Sequence, residues 1–322
     1  MGSSPTSGTN LLFPVMTGDP TASPGSMDPS PVRLSALHPL GSLTAWQIGG
    51  PAAQFAEPST PTELRWCLQW AESNRLPVLA LGGGSNLLIA DAGYPGLVLR
   101  YVSRAYGISA SGPAAQVEVG AFAPLAGTAR RLARQGWAGL EWAEGIPGTV
   151  GGAVVGNAGA YGGEIATALA EVETLSLAHG GRTIPGSDCA FGYRGSRFHG
   201  QDPTREFILS ARFRLRKADP EELEERLDQI GRERRARTPV GRSCGSVFKN
   251  PPGDAAGRLI EAAGFKGIRQ GAAQVSPKHA NYILNLGGAT ARDVLSLIES
   301  IREKVRREFG VDLELEVQLI GF

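Results

Sequence analysis

At 322 residues the chain exceeds the usual size of a single domain, so two or three domains with substantial cores are expected. Its 32 basic residues against 31 acidic ones leave a formal net charge of +1, too weak a field for nucleic acid or an acidic membrane surface. No apolar run approaches the roughly 20 residues of a membrane-spanning helix, and the three cysteines, Cys67, Cys189 and Cys244, form an odd, widely spaced set that fits a reducing cytoplasm.

Residues 1–32 are rich in Pro, Ser, Thr and Gly and contain no Lys or Arg, so they are expected to form a disordered tail without a secretory or transit signal. From Thr60 the pattern Pro61-Thr62-Glu63-Leu64 opens an amphipathic helix through Leu64, Cys67, Leu68 and Ala71. Residues 77–81 then form a short buried strand, with further strands over 97–100 and 116–120 and a helix over 124–135. The alternation of Phe207, Leu209, Ala211, Phe213 and Leu215 marks a half-buried strand. Asp219-Pro220 begins a charged helix to about Arg237, and the domain boundary is placed near Asp219. Beyond it come a helix over 254–263, a strand over 282–286 and a helix over 291–309 whose apolar face includes Val294, Leu297, Ile298, Ile301 and Val305. Strict alternation over 313–319 predicts a final strand with Glu314, Glu316 and Gln318 on one face. The texture is α+β with short elements.

Two segments are dense in glycine. Gly82-Gly83-Gly84-Ser85-Asn86-Leu87 follows a strand, and three successive glycines leave backbone N–H groups free to form an anion-binding concavity. It lacks the final glycine of a Rossmann fingerprint and the ending of a P-loop. The run from Gly145 to Gly163 is conformationally costly, as expected where backbone must approach something flat or charged. Either segment alone also fits a plain glycine-rich turn.

The third informative stretch, Ser243-Cys244-Gly245-Ser246-Val247-Phe248-Lys249-Asn250-Pro251, sets a hydroxyl, a lysine and an amide between turn formers, a grouping suited to proton delivery. Tyr193-Arg194-Gly195-Ser196 adds a guanidinium able to hold a carboxylate through parallel hydrogen bonds. Taken singly, Ser246 also fits a turn serine, Arg194 a solvated arginine and Glu316 the wet face of a strand. No His/Cys/carboxylate cluster has metal spacing, so no metal is expected.

In this order, the segments around Gly82, Gly145, Tyr193 and Ser246 resemble the UDP-N-acetylenolpyruvoylglucosamine reductase (MurB) family of bacterial peptidoglycan synthesis, over about Thr44 to Gly321. The absence of a long tyrosine-bearing insertion resembles its shorter type II branch. The resemblance implies a two-part FAD-binding region of the vanillyl-alcohol-oxidase type over 33–218 and a smaller α+β substrate-binding domain over 219–322. It implies noncovalent FAD held by Gly82, Gly83, Gly84, Ser85, Asn86 and Leu87 around the pyrophosphate. Gly145, Ile146, Pro147, Gly148, Thr149, Gly151, Gly152, Asn157 and Gly159 would lie along the flavin.

The family's general acid corresponds to Ser246, its carboxylate-stabilising arginine to Arg194, and its glutamate to Glu316, with Gln318 standing where the family has arginine. Tyr161, Tyr193, Arg237, Lys249 and Asn250 would meet the substrate. Lys278-His279-Ala280-Asn281 also resembles a family segment, with His279 expected to be structural. The implied reaction is reduction of UDP-N-acetylglucosamine enolpyruvate by NADPH, in the cytoplasm, by a monomer or weak oligomer that engages no nucleic acid or membrane. Two rivals remain at this level: another flavin oxidoreductase of the same fold, which should lose the joint Arg194, Ser246 and Glu316 pattern, and a non-enzymatic flavin or nucleotide sensor.

Overall fold

The computed structural model describes residues 31–103 and 105–322. The tail expected over 1–32 lies outside the described residues up to residue 30, while Val32 is buried in a core cluster. Thr60 and Glu63 exchange backbone and side-chain hydrogen bonds in a capping box, with Pro61 in the first turn, and so start the Pro61–Ser73 helix. Such a cap contributes about 1 kcal/mol. Leu64, Cys67, Leu68 and Ala71, at helical spacing, bury its inner stripe. This helix covers a four-stranded sheet in the order Ser35–Pro39, Pro51–Ala56, Tyr94–Leu99, Val78–Ala80. Its last two pairings are parallel.

The second layer is antiparallel, ordered Gly180–Pro185, Leu169–Ser176, Phe207–Lys217, Ala114–Gly120, Tyr106–Ser111, with Trp137–Ala138 pairing on the long Phe207–Lys217 strand. The period-two alternation of that strand sends Phe213 and Leu215 into a core shared with Val117, Val119 and the buried face of the Leu125–Arg134 helix.

The third core packs the Ala291–Phe309 helix against the sheet of Arg269–Gln270, Ala273–Val275 and Ile283–Asn285. Trp46, Ile48 and Leu88 from the first half are built into it. Trp46 is fully buried, donates from Nε1 to the Ile283 carbonyl at 2.7 Å, and accepts at its own carbonyl from Asn285 Nδ2 at 2.8 Å. Asp91 accepts from the N–H groups of Ala291 and Arg292, capping the long helix from the other half of the chain.

The predicted final strand is corrected. Only Gln318–Ile320 pairs as a strand, parallel to Leu87–Ile89, whereas Leu315 makes an isolated bridge to Phe248. The chain changes partner between these points and bends at Glu316 and Val317. Alternation therefore breaks: the Glu314 side chain is 77% exposed and that of Glu316 only 22%. The stretch expected as one glycine-rich lining over 145–163 contains a helix, Val150–Val155, started by Thr149, whose Oγ1 accepts from the Gly152 N–H at 3.3 Å.

Candidate active site

The two glycine segments lie against each other. A Cβ on Gly82 would stand 2.6 Å from Thr149 Oγ1, one on Gly83 2.9 Å from Gly148 Cα, and one on Gly148 2.5 Å from Ser85 Oγ. Ser85 Oγ donates to the Pro147 carbonyl at 3.4 Å. Gly84 needs glycine twice over, since its φ is +61° and a Cβ would sit 2.0 Å from the Leu43 carbonyl oxygen. Among the described residues, no protein acceptor takes the backbone N–H of Gly82, Gly83, Gly84, Ser85 or Asn86, nor those of Gly148 and Thr149. A tight double loop of unspent N–H donors is the chemistry a dinucleotide diphosphate requires, so these residues fit FAD.

Not every expected cofactor residue offers its side chain. Asn157 is buried at φ +42°; its Nδ2 donates to Glu164 Oε2 at 3.1 Å and to the Gly192 carbonyl at 3.0 Å, and its Oδ1 accepts from the Ala166 N–H at 3.1 Å. Its own N–H donates to the Val154 carbonyl at 3.3 Å, so only its backbone carbonyl remains for a ligand. Gly145, at φ +69°, packs against the aliphatic part of Arg234. Its neighbour Glu144 is buried and bound twice by Arg130, which pins the start of this segment. Gly151 donates its N–H to the Ala121 carbonyl, and Ile146 edges the second core.

Asn157, Gly159, Ala160, Gly162, Gly163, Glu164, Thr167, Tyr193 and Arg194 line a cavity of about 330 Å³. Tyr161 lies beside it at φ +50°. Arg194 is itself at φ +57° and donates from Nη1 to the Gly159 carbonyl at 3.0 Å. Its Nε lies 3.0 Å from Glu316 Oε1, yet the angle is not that of a hydrogen bond, and Nε is buried without a hydrogen-bond partner. We regard the contact as Coulombic.

The Ser246 loop is laced to the segment carrying Glu316. The Val247 carbonyl accepts from the Glu316 N–H at 2.9 Å, and the Lys249 N–H donates to the Glu314 carbonyl at 2.9 Å. From the other side, Asn281 takes the N–H groups of Val247 and Phe248 and donates to the Phe248 carbonyl. Asn250 accepts at Oδ1 from the Ala256 N–H and donates its own N–H to Tyr193 Oη at 3.4 Å, so the Tyr193-Arg194 turn touches this loop directly. The structure thus gathers Arg194, Glu316 and the Ser246 loop beside the cavity.

Burial pushes the Glu316 carboxyl above its ordinary value, and the opposing pull of Arg194 and Lys249 does not fully offset it. Cys244 is buried and its thiol is pushed well up, first by burial and then by Glu316, which makes it inert beside Ser246. Lys249 Nζ pairs with Glu314 at 3.4 Å. Arg237 is exposed at the end of the Pro220–Arg237 helix, and no side-chain contact among the described residues ties it to the site.

Asn86, expected at the cofactor, also donates from Nδ2 to the Glu316 carbonyl at 2.9 Å, a contact with no local signal because its partner lies 230 positions away. His199 was not among the expected residues; it is exposed, and its imidazole is held low by partial burial and then by Lys249. Among the described residues, no group of three or more His, Cys, Asp or Glu could hold a metal, and no helix is long and apolar enough to cross a membrane.

An α+β chain whose paired glycine loops present free N–H donors beside an ion-paired arginine and glutamate has the makings of a flavoprotein. The family described as FAD binding domain matches residues 52–181, and the UDP-N-acetylenolpyruvoylglucosamine reductase C-terminal domain family matches residues 236–320. The UDP-N-acetylenolpyruvoylglucosamine reductase of Chloroflexus aggregans is 49% identical over 292 residues, covering 90% of this chain and 98% of that protein. That of Rubrobacter xylanophilus is 46% identical over 284 residues, covering 88% and 94%. The crystal structure of MurB from Thermus caldophilus superposes with a TM-score of 0.76 at 36% identity, covering 90% of this chain and 98% of that one. The chain belongs to the UDP-N-acetylenolpyruvoylglucosamine reductase family.

Proposed function

We propose that this protein reduces UDP-N-acetylglucosamine enolpyruvate to UDP-N-acetylmuramate with NADPH, using noncovalent FAD, in the cytoplasm. The observation that carries the reading is the meeting of Arg194, Glu316 and the Ser246 loop, from three distant segments, beside two glycine loops with free N–H donors. Bound FAD, held by the two glycine loops, would supply the two-electron redox chemistry between NADPH and the enol ether. Residues 33–218 carry the cofactor loops, and residues 219–322 contribute Ser246 and Glu316.

The N–H groups of Gly82 to Asn86, with Gly148 and Thr149, hold the diphosphate of the cofactor. Arg194 receives the carboxylate of the enolpyruvyl group. Its Nη1 is already committed to the Gly159 carbonyl and its Nε faces Glu316, so the guanidinium is oriented before substrate arrives, with Nη2 left to bind. As negative charge grows on the carboxylate, Arg194 stabilises it electrostatically. Burial shifts Glu316 toward its protonated form, the form able to donate a hydrogen bond to the same developing enolate, while Arg194 and Lys249 pull the other way. Ser246 Oγ then delivers its proton to the α carbon, a transfer feasible for a weak acid because the acceptor is strongly basic. Tyr161, Tyr193, Lys249 and Asn250 border the cleft and bind the sugar nucleotide, and Arg237 reaches its diphosphate from the helix end.

The test is the visible spectrum of the purified protein followed anaerobically. NADPH should bleach the flavin and the enolpyruvyl sugar nucleotide should restore it. Ser246→Ala should still bleach and recover at least 100-fold more slowly. Bleaching without recovery in the parent protein would assign it to another flavin oxidoreductase, and a protein that takes up no FAD would overturn the reading altogether.

A further inference from the structure

The segment Lys278-His279-Ala280-Asn281 takes no part in the chemistry above, yet three of its side chains each grip a different element. Lys278 Nζ donates to the carbonyls of Arg235 at 2.9 Å and Thr238 at 2.8 Å, closing the end of the Pro220–Arg237 helix. His279 Nδ1 accepts from the Asn281 N–H at 3.2 Å, so its proton resides on Nε2. Its ring stands edge-on to Tyr282 at 4.9 Å, and a Cβ on Gly257 would stand 3.0 Å from its Cε1.

Asn281 is 3% exposed and spends its carbonyl and both ends of its amide on the two residues after Ser246. Its carbonyl accepts from the Val247 N–H at 2.9 Å, its Oδ1 from the Phe248 N–H at 2.9 Å, and its Nδ2 donates to the Phe248 carbonyl at 2.8 Å.

On the other side of Ser246 the support is weak. Gly245, between buried Cys244 and the serine, has φ +82°, and a Cβ there would find nothing within 4 Å, so Gly245 itself packs against nothing. Among the described residues the Ser246 hydroxyl makes no hydrogen bond to the protein. The direction of Oγ is therefore set by the backbone that follows it. That backbone is held by Asn281 on one flank and, through the Val247 carbonyl, by the Glu316 N–H on the other.

We infer that Asn281 is a positioning residue for proton delivery: it fixes Val247 and Phe248 so that the Ser246 hydroxyl is aimed at the substrate α carbon. The inference rests on the assignment of Ser246 as proton donor. A hydroxyl displaced by about 1 Å from its productive position loses on the order of 100-fold in rate.

The experiment compares Asn281→Ala and Asn281→Asp, each in the parent and in a Ser246→Ala background, by stopped-flow absorbance of the FAD-loaded protein in separate half-reactions. Flavin content and reduction by NADPH should stay within about twofold of the parent, while reoxidation by the enolpyruvyl sugar nucleotide falls about 100-fold in Asn281→Ala. Asn281→Asp keeps an acceptor for the Phe248 N–H and loses the donor to its carbonyl, so its loss should be smaller, about tenfold. In the Ser246→Ala background either change should add less than about twofold, because residues acting as one unit are not additive.

Losses that multiply fully with Ser246→Ala, equal slowing of both half-reactions, parent-like reoxidation, or failure of both variants to fold would overturn the inference. Parent-like reoxidation in Ser246→Ala itself would remove the proton-donor assignment as well. A slow Ser246→Ala beside parent-like Asn281 variants would remove only the role of Asn281.

Discussion

Asn86, in the first glycine loop, donates its side-chain N–H to the backbone carbonyl of Glu316, and the Gln318 N–H returns a hydrogen bond to the Asn86 carbonyl at 3.0 Å. The loop proposed to hold the cofactor diphosphate is thereby joined to the residue proposed to stabilise the enolate. Asn86→Ala removes the side-chain half of this link and should cost about 1 kcal/mol in stability. Because Glu316 is then held only from the Val247 side, reoxidation by the sugar nucleotide should slow about tenfold while FAD is retained. Stopped-flow reoxidation and a urea titration check both halves; loss of FAD with normal reoxidation of the loaded fraction would place Asn86 with the cofactor alone.

The close stacking of Gly83 on Gly148 makes a graded series possible. Gly83→Ala places a methyl group 2.9 Å from Gly148 Cα without straining its own backbone, so it reports on the spacing of the two loops. Over-packing of this kind costs about 1–3 kcal/mol, and FAD affinity should fall about tenfold as the N–H donors move apart. Gly84→Ala adds a φ of +61° and a methyl 2.0 Å from the Leu43 carbonyl oxygen, and should bind FAD still more weakly or fail to fold. Titration of apoprotein with FAD, followed by flavin fluorescence, gives the order; equal affinities in Gly83→Ala and the parent would mean that loop spacing is irrelevant to the cofactor.

The helices were legible because their signals are local. Asp219-Pro220 starts the Pro220–Arg237 helix where the charge pattern places it, and the apolar stripe from Val294 to Val305 is the buried face of the Ala291–Phe309 helix. Ser246, Arg194 and Glu316 were legible as residues of recognisable segments. Their relationships were not. The alternation over 313–319 is a local period, but the chain trades Phe248 for Leu87 as its partner within those residues, and a bend between the two exposes Glu314 while half-burying Glu316. Trp46 has a similar history: nothing in its neighbours indicates that it completes a core built mainly from residues beyond 243.

The burial of Glu316 has a stability consequence with a definite sign. Its carboxyl is raised above the ordinary 4.5, first by desolvation, with Arg194 and Lys249 opposing. An acid raised on folding binds protons more tightly in the folded chain, so the stability it confers is fully present below 4.5 and is lost as pH rises through the folded value. Glu316→Gln should therefore match the parent in stability at low pH and exceed it at pH 7, while reoxidation falls about 100- to 1,000-fold. Paired urea titrations across this pH range test the sign; a variant less stable than the parent at pH 7 would show that the ion pair with Arg194 outweighs desolvation.

Tyr193 links the Arg194 turn to the Ser246 loop through the 3.4 Å hydrogen bond that its hydroxyl accepts from the Asn250 N–H, although the residue is 59% exposed. The Arg194 guanidinium lies 5.5 Å from the centre of that ring, within reach of a cation–π contact. Tyr193→Phe keeps the ring and removes only the bridge. Loss of one hydrogen bond worth about 1 kcal/mol predicts a roughly fivefold rise in KM for the sugar nucleotide, with kcat within about twofold and stability within about 0.5 kcal/mol of the parent. Tyr193→Ala removes the face against Arg194 as well, so kcat should fall too, about threefold. Steady-state kinetics on the two variants separate the contributions: a drop in kcat at unchanged KM in Tyr193→Phe would move the hydroxyl from substrate binding into the chemical step.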